Sequence, residues 1–171
     1  MSTAMTRYPS LHSWSTVAPP MPRAAPVTNA TRPSATGHLP DDGADQLLEQ
    51  DAAGHHKYLG YIVQIGPWTI YHSGDTVLYE GMVEQLRYWP IDIALLPING
   101  RAPERRVAGN LDGPEAAQLA KAIGAKVVIP CHYEMFEFNT ASPADFVAAA
   151  QRIDQPYRVL RAGERWHSQT A

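Results

Sequence analysis

Two nearly continuous apolar runs, residues 92–98 and 126–130, constrain the fold of this chain most strongly. A strand that is apolar at almost every position is typical of a sheet buried on both faces, as in parallel sheets covered by helices. Segments with apolar residues at helical spacing lie before, between and after these runs. The pattern therefore predicts an α/β domain in which helices cover a sheet.

Local signals place the remaining elements. Residues 58–65 and 68–72 are rich in β-branched and aromatic side chains and flank a Gly66-Pro67 turn, which predicts two neighbouring strands. Asp112 is suited to cap a helix that Gly124 closes, and Ser142 is suited to cap another. The predicted helices are 80–88, 112–124 and 142–153, and the last predicted strand is 157–160.

The amino-acid composition of the chain changes near residue 43. The first 43 residues are rich in Pro, Ser, Thr and Ala, contain few charges and show no strand or helix period. Such a segment buries too little apolar surface to offset the entropy of ordering, so residues 1–43 are predicted to be a disordered tail. Residues 44–171 are predicted to form the folded domain.

The composition and charge of the chain argue against some classes of function. The chain of 171 residues is 44% hydrophobic with a formal net charge of -3, which does not suggest nucleic-acid binding. No apolar run approaches the length of a membrane span, and the single cysteine, Cys131, fits a reducing cytoplasm. Cys131 is predicted to be a buried structural thiol, because its side chain and that of His132 should point to opposite faces of a strand.

Polar residues that can bind a metal follow two of the predicted strands. Asp75 follows the strand at 68–72, and His132 follows the run at 126–130. Ligands gather at the carboxyl ends of strands in α/β sheets, and carboxylate and imidazole groups suit zinc or manganese. Two plainer alternatives stay open at this point: a turn aspartate that caps its own backbone, and a hydrogen-bonded histidine without a metal.

Four segments resemble the metallo-β-lactamase superfamily of metal-dependent hydrolases. They are residues 56–61, 72–76, 92–101 and 130–136, which read HKYLGY, HSGDT, DIALLPINGR and PCHYEMF. More narrowly, they are similar to the branch that contains the L-ascorbate-6-phosphate lactonases. Their order and spacing match over roughly residues 47–167.

The resemblance implies the C-terminal half of a four-layer α-β-β-α sandwich. It implies that Asp75 is the metal-bridging aspartate and that His132 is the last metal-binding histidine, with His72 holding a ligand or the substrate through hydrogen bonds. Asn99 and Arg101 then lie on the same rim as substrate-binding candidates, where Arg101 could pair with a phosphate or carboxylate. A solvated loop arginine is the alternative for Arg101.

The motif that defines this superfamily, His-x-His-x-Asp-His, is absent from the chain. His55 and His56 lie where this branch also has histidines, but we do not assign them to the metal. The abrupt start of the match suggests a truncated gene or an upstream frame error that generated the first 43 residues. With two ligands rather than the three that a catalytic zinc needs, the chain is expected to bind metal weakly and to be a poor catalyst or none.

The resemblance thus implies a metal-dependent hydrolase that acts on a lactone or ester, with zinc or manganese as the cofactor. The alternative is a non-catalytic remnant or interaction module. The expected partners are a small-molecule substrate and either a second copy of the chain or a separate N-terminal half, with no nucleic acid and no membrane.

Overall fold

A computed structural model of the protein describes residues 23–28, 51–54, 59–105 and 109–168. Five strands form one mixed sheet in the order β1-β2-β3-β4-β5. β1 pairs antiparallel with β2, β2 antiparallel with β3, and the last three strands run parallel. The strands are β1 (Arg23–Thr28), β2 (Leu59–Ile65), β3 (Trp68–His72), β4 (Ile93–Pro97) and β5 (Val127–Cys131).

Helices connect the parallel strands, as the α/β prediction requires. α1 (Met82–Leu86) lies between β3 and β4, α2 (Gly113–Ala122) lies between β4 and β5, and α3 (Ala144–Arg152) follows β5. A 3-10 turn, Pro103–Arg105, precedes α2. All three helices begin and end within two residues of the predicted bounds. The predicted fold class is therefore confirmed. None of the described helices has the length and apolarity needed to cross a membrane.

The core lies on one face of the sheet. Ile62, Tyr71, Ala94 and Val128 pair side by side across β2 to β5 and are all at most 1% exposed. Phe146 of α3 belongs to the same buried cluster. At Gly113 an added Cβ would lie 2.6 Å from the Phe146 nitrogen, so the glycine lets α2 and α3 approach closely.

The other face of the sheet is apolar as well. Val63, Ile70, Ile93 and Val127 pair across the same strands with alternate register and are half-buried. An α/β sheet that is apolar on both faces fits an inner layer of a sandwich.

The start of α2 is fixed by a reciprocal pair of hydrogen bonds. The Asp112 side chain accepts from the Glu115 amide at 2.8 Å, and the Glu115 side chain accepts from the Asp112 amide at 3.0 Å. This capping box confirms the prediction that Asp112 caps the helix. Its consequence is a fixed direction for the loop that enters α2.

Two features differ from the sequence interpretation. Residues 157–160 do not form a strand: only Tyr157 bridges β5, opposite Val128, and Pro156 has no N–H with which to extend that pairing. β1 lies inside the segment predicted to be a tail, at the sheet edge where its Pro26 is tolerated. The remainder of residues 1–43 lies outside the described residues, so the domain boundary stays a prediction.

Candidate metal site

Asp75 and His132 come together at the carboxyl ends of two strands. Asp75 follows β3 and His132 follows β5, and the Asp75 Oδ1 and His132 Nε2 atoms lie 3.8 Å apart. The Asp75 side chain is 73% exposed, and the His132 side chain is 21% exposed. The shared sheet edge therefore brings both predicted metal ligands within reach of one small ion or solvent molecule.

The separation of the two atoms fits a shared divalent ion. Ligand atoms about 2.1 Å from one zinc lie about 3.4 Å apart at the tetrahedral angle and farther apart at wider angles. Among the residues that the structure describes, however, no group of three or more His, Cys, Asp or Glu side chains is arranged to hold a metal ion. The described residues therefore offer two ligands for such an ion rather than a complete set.

Gly74 and His72 shape the turn that presents Asp75. Gly74 has φ 66°, a left-handed conformation that glycine adopts without strain, and an added Cβ would lie 3.2 Å from the Leu59 carbonyl oxygen. The Gly74 amide donates a hydrogen bond to His72 Nδ1 at 2.9 Å. His72 thus stabilises the backbone of this turn at Gly74, one residue before Asp75.

His132 has an unusual backbone and an unpartnered ring nitrogen. Its φ is 59°, and Glu134 also has a left-handed φ of 53°. Such angles cost a residue with a side chain about 1 kcal/mol or more, and they persist where surrounding contacts enforce them. Nδ1 of His132 is buried and has no hydrogen-bond partner in the described part of the chain. The ring makes an edge contact with Phe136 at a centroid distance of 6.5 Å.

Contacts on both sides fasten the loop after His132. The Tyr133 hydroxyl donates to the Leu160 carbonyl oxygen, and the Glu134 amide donates to Thr140 Oγ1. Phe138 and its neighbour Phe136 nevertheless stay exposed, with ring centroids 6.3 Å apart. The loop therefore holds apolar side chains in solvent beside the candidate metal ligands.

The two predicted substrate-binding residues have partners within the protein. Asn99 is 2% exposed, and its amide is hydrogen-bonded to Asn110 and Asn139. The Arg101 side chain forms an ion pair with Glu115, the residue that also completes the capping box of α2. Substrate binding by Asn99 and Arg101 stays a prediction.

The thiol of Cys131 is kept neutral by its surroundings. Burial raises its pKa, and the negative charge of Asp75 raises it further, to about 11. A thiolate is the nucleophilic form of cysteine, so this environment disfavours a nucleophilic role.

Sequence reasoning missed the residues that tie the two loops together. They are Asn110, Asn139 and Thr140, which lie in loops without a periodic pattern, and Arg105 at the end of the 3-10 turn. A hydrogen-bonding residue type in a loop was the only available signal, and it is common in loops. His55 and His56 lie outside the described residues.

Comparison with known proteins places the chain in a family. The family model described as "Beta-lactamase superfamily domain" matches residues 21–133, which include β1 to β5 and both Asp75 and His132. The chain belongs to the beta-lactamase superfamily. The match begins at residue 21, and so it also covers part of the segment predicted to be a tail.

Curated relatives of this superfamily member are named UPF0173 metal-dependent hydrolases. One from Methanoregula boonei is 37% identical over 130 residues, which are 75% of this chain and 54% of the relative. Another, from Pelotomaculum thermopropionicum, is 35% identical over 116 residues, or 65% of this chain and 48% of the relative. The chain thus spans about half the length of the curated relatives it matches.

A solved structure of the superfamily agrees with the fold. Igni18, a metallo hydrolase from Ignicoccus hospitalis, is 27% identical, with a TM-score of 0.54 over 66% of this chain and 46% of that protein.

Proposed function

We propose that this chain contributes Asp75 and His132 to the divalent-metal site of a metal-dependent hydrolase that acts on a lactone or an ester. The observation that carries the proposal is the 3.8 Å separation of Asp75 Oδ1 and His132 Nε2 at the strand ends. The names of these relatives, metal-dependent hydrolases, support metal-dependent hydrolysis. The resemblance of residues 72–76 and 130–136 to the lactonase branch supports a lactone or ester as the substrate class.

Residues of this chain would hold the metal, orient its ligands and shield the site from water. None of them would react covalently with the substrate. Asp75 and His132 would hold the metal, and the turn built by His72 and Gly74 fixes the direction of the carboxylate. A divalent ion held there would supply Lewis acidity for the activation of water and the polarisation of a carbonyl group. Zinc and manganese both accept carboxylate and imidazole ligands. Phe136 and Phe138 offer apolar surface beside His132 to the part of a substrate that does not react.

Hydrolysis needs more than this pair. A catalytic zinc is usually held by three protein ligands, and the described residues provide two. We therefore expect weak metal affinity and slow turnover from the chain alone. The same observation favours a second candidate function, a non-catalytic module that binds a separate N-terminal half or a second copy of the chain.

A hydrolysis assay separates the two candidates. The full chain is incubated with Zn²⁺, with Mn²⁺ or with a chelator, and a panel of lactones and carboxylic esters is tested. Asp75→Asn and His132→Gln are compared with wild type, and Asp154→Asn serves as a matched control because its exposed carboxylate lies beyond the end of α3. The hydrolase proposal expects slow, metal-dependent hydrolysis that both site variants abolish and the control retains. Absence of metal-dependent hydrolysis in the wild type would contradict it and favour the non-catalytic module.

A further inference from the structure

Three asparagine side chains connect the two loops of the candidate metal site. Asn110 Oδ1 accepts a hydrogen bond from the Thr76 amide at 2.8 Å, and Asn110 Nδ2 donates to Asn99 Oδ1 at 2.9 Å. Asn99 Nδ2 in turn donates to Asn139 Oδ1 at 2.9 Å. We call Asn99, Asn110 and Asn139 the amide chain. Each link uses a different donor and acceptor, so the side chains form one continuous path between the loops.

Burial makes the links of the amide chain costly to break. Asn99 and Asn110 are each 2% exposed, and Thr76 is fully buried. A buried amide that loses its partner cannot form a hydrogen bond with bulk water instead. The free-energy cost of its desolvation therefore stays uncompensated. The loops on either side are therefore held at the spacing that keeps all three links intact.

A guanidinium group links the amide chain to Thr140. Arg105 Nη1 donates to the Asn99 carbonyl oxygen at 2.6 Å, and Arg105 Nη2 donates to the Thr140 carbonyl oxygen at 3.0 Å. Thr140 Oγ1 accepts the hydrogen bond from the Glu134 amide, two residues after His132. The path thus begins at Thr76, directly after Asp75, and ends at the loop that follows His132.

We propose that the amide chain positions Asp75 relative to His132. The Asp75 side chain is largely exposed, and its described side-chain contact is with His132, so its backbone decides where the carboxylate lies. Metal affinity depends on how firmly ligand atoms are held by the groups behind them. Asn99, Asn110 and Asn139 are therefore positioning residues. This inference rests on the proposed function in which the pair binds a metal.

Amide hydrogen exchange on the full chain tests the path without a metal. Asn110→Ala removes both links of that residue, and exchange at the Thr76 and Glu134 amides is expected to rise about tenfold, the effect of losing one hydrogen bond. Asn110→Asp keeps an acceptor for Thr76 but loses the donor to Asn99. In that variant the exchange rate of the Glu134 amide is expected to rise, while the Thr76 amide stays protected from exchange. Asn110→Asp also keeps the test open if Asn110→Ala fails to fold.

Gln155→Ala is the matched control, because Gln155 is also a buried amide. It is 4% exposed, and its Nε2 donates to the Ala125 carbonyl oxygen at 3.0 Å near the amino end of β5, away from the candidate site. It should leave exchange at Thr76 and Glu134 unchanged. Acceleration confined to the Thr76 amide in Asn110→Ala, or equal acceleration in Gln155→Ala, would overturn the inference.

Zinc titration of the same variants tests the consequence for the site. The affinity of Asn110→Ala and Asn110→Asp for Zn²⁺ is expected to be about tenfold weaker than that of wild type and of Gln155→Ala, with Asp75→Ala as the baseline. Unchanged affinity in both Asn110 variants would overturn the inference. A wild type that takes up no zinc through Asp75 would contradict the proposed function, and the exchange pattern would still decide whether the amide chain joins the loops.

Discussion

Asp92 and Lys126 form an ion pair where β4 and β5 begin, with 2.8 Å between Asp92 Oδ1 and Lys126 Nζ. The other carboxylate oxygen of Asp92 accepts a hydrogen bond from the Thr69 amide of β3 at 2.7 Å. One nearly buried carboxylate therefore joins three neighbouring strands at the edge of the sheet opposite to the candidate metal site.

This carboxylate makes stability depend on pH. Burial raises the pKa of Asp92, but the hydrogen bond and charge of Lys126 and the Thr69 amide outweigh it and hold the pKa below the ordinary value of 3.8. Because the folded-state pKa is the lower one, the stabilisation is present above pH 3.8 and is lost as the pH falls through the lowered pKa.

Asp92→Asn should therefore reduce the free energy of unfolding near pH 7 by about 1.5–3 kcal/mol. It should also make the free energy of unfolding decrease less steeply as the pH is lowered. Urea unfolding at pH 7 and pH 3 measures both effects. Asp145→Asn, at an exposed position in the first turn of α3, is the control and should behave like wild type. An Asp92→Asn profile with the same acid dependence as wild type would contradict the assignment.

The capping box at the start of α2 should contribute measurably to stability. Asp112→Ala removes the acceptor for the Glu115 amide and is expected to cost about 1 kcal/mol in the free energy of unfolding. Arg101→Met breaks the partly exposed pair with Glu115 but leaves the box intact, so it should cost less than about 0.5 kcal/mol. Chemical denaturation compares the two. Equal losses would show that the ion pair, rather than the box, fixes this helix end.

The Cys131 thiol should react slowly in the folded protein. With a pKa of about 11 against the ordinary 9.0, the thiolate fraction at pH 8 is about a hundredfold smaller than that of a free cysteine. Alkylation followed by mass spectrometry, in buffer and in urea, measures the difference within one protein. Folded and unfolded chains that react at the same rate would rule out the protected environment.

The parts of the fold that depend on local pattern could be predicted from the sequence. β4 and β5 lie within a residue of the two apolar runs, because strands buried on both faces leave a continuous apolar record. The meeting of Asp75 and His132 was also predictable, because the carboxyl ends of parallel strands share one edge of a sheet.

Contacts between distant parts of the chain do not produce a comparable pattern in the sequence. β1 reads as part of a Pro-rich segment, and its pairing with β2 depends on backbone hydrogen bonds that composition does not encode. The contacts from Asn99 to Asn110 and Asn139 lie in loops whose sequence shows no period, so this connection could not be predicted from the sequence.

Equilibrium dialysis against micromolar Zn²⁺ or Mn²⁺, followed by metal analysis of the full chain, tests the metal pair most directly. The wild type is compared with Asp75→Ala/His132→Ala and with Asp154→Ala/His167→Ala, which removes the same two residue types from another part of the surface. The account predicts metal uptake clearly above background, but below one ion per chain, in the wild type and the control, and uptake at background in the site variant. Equal uptake by all three proteins would contradict a metal site built on Asp75 and His132.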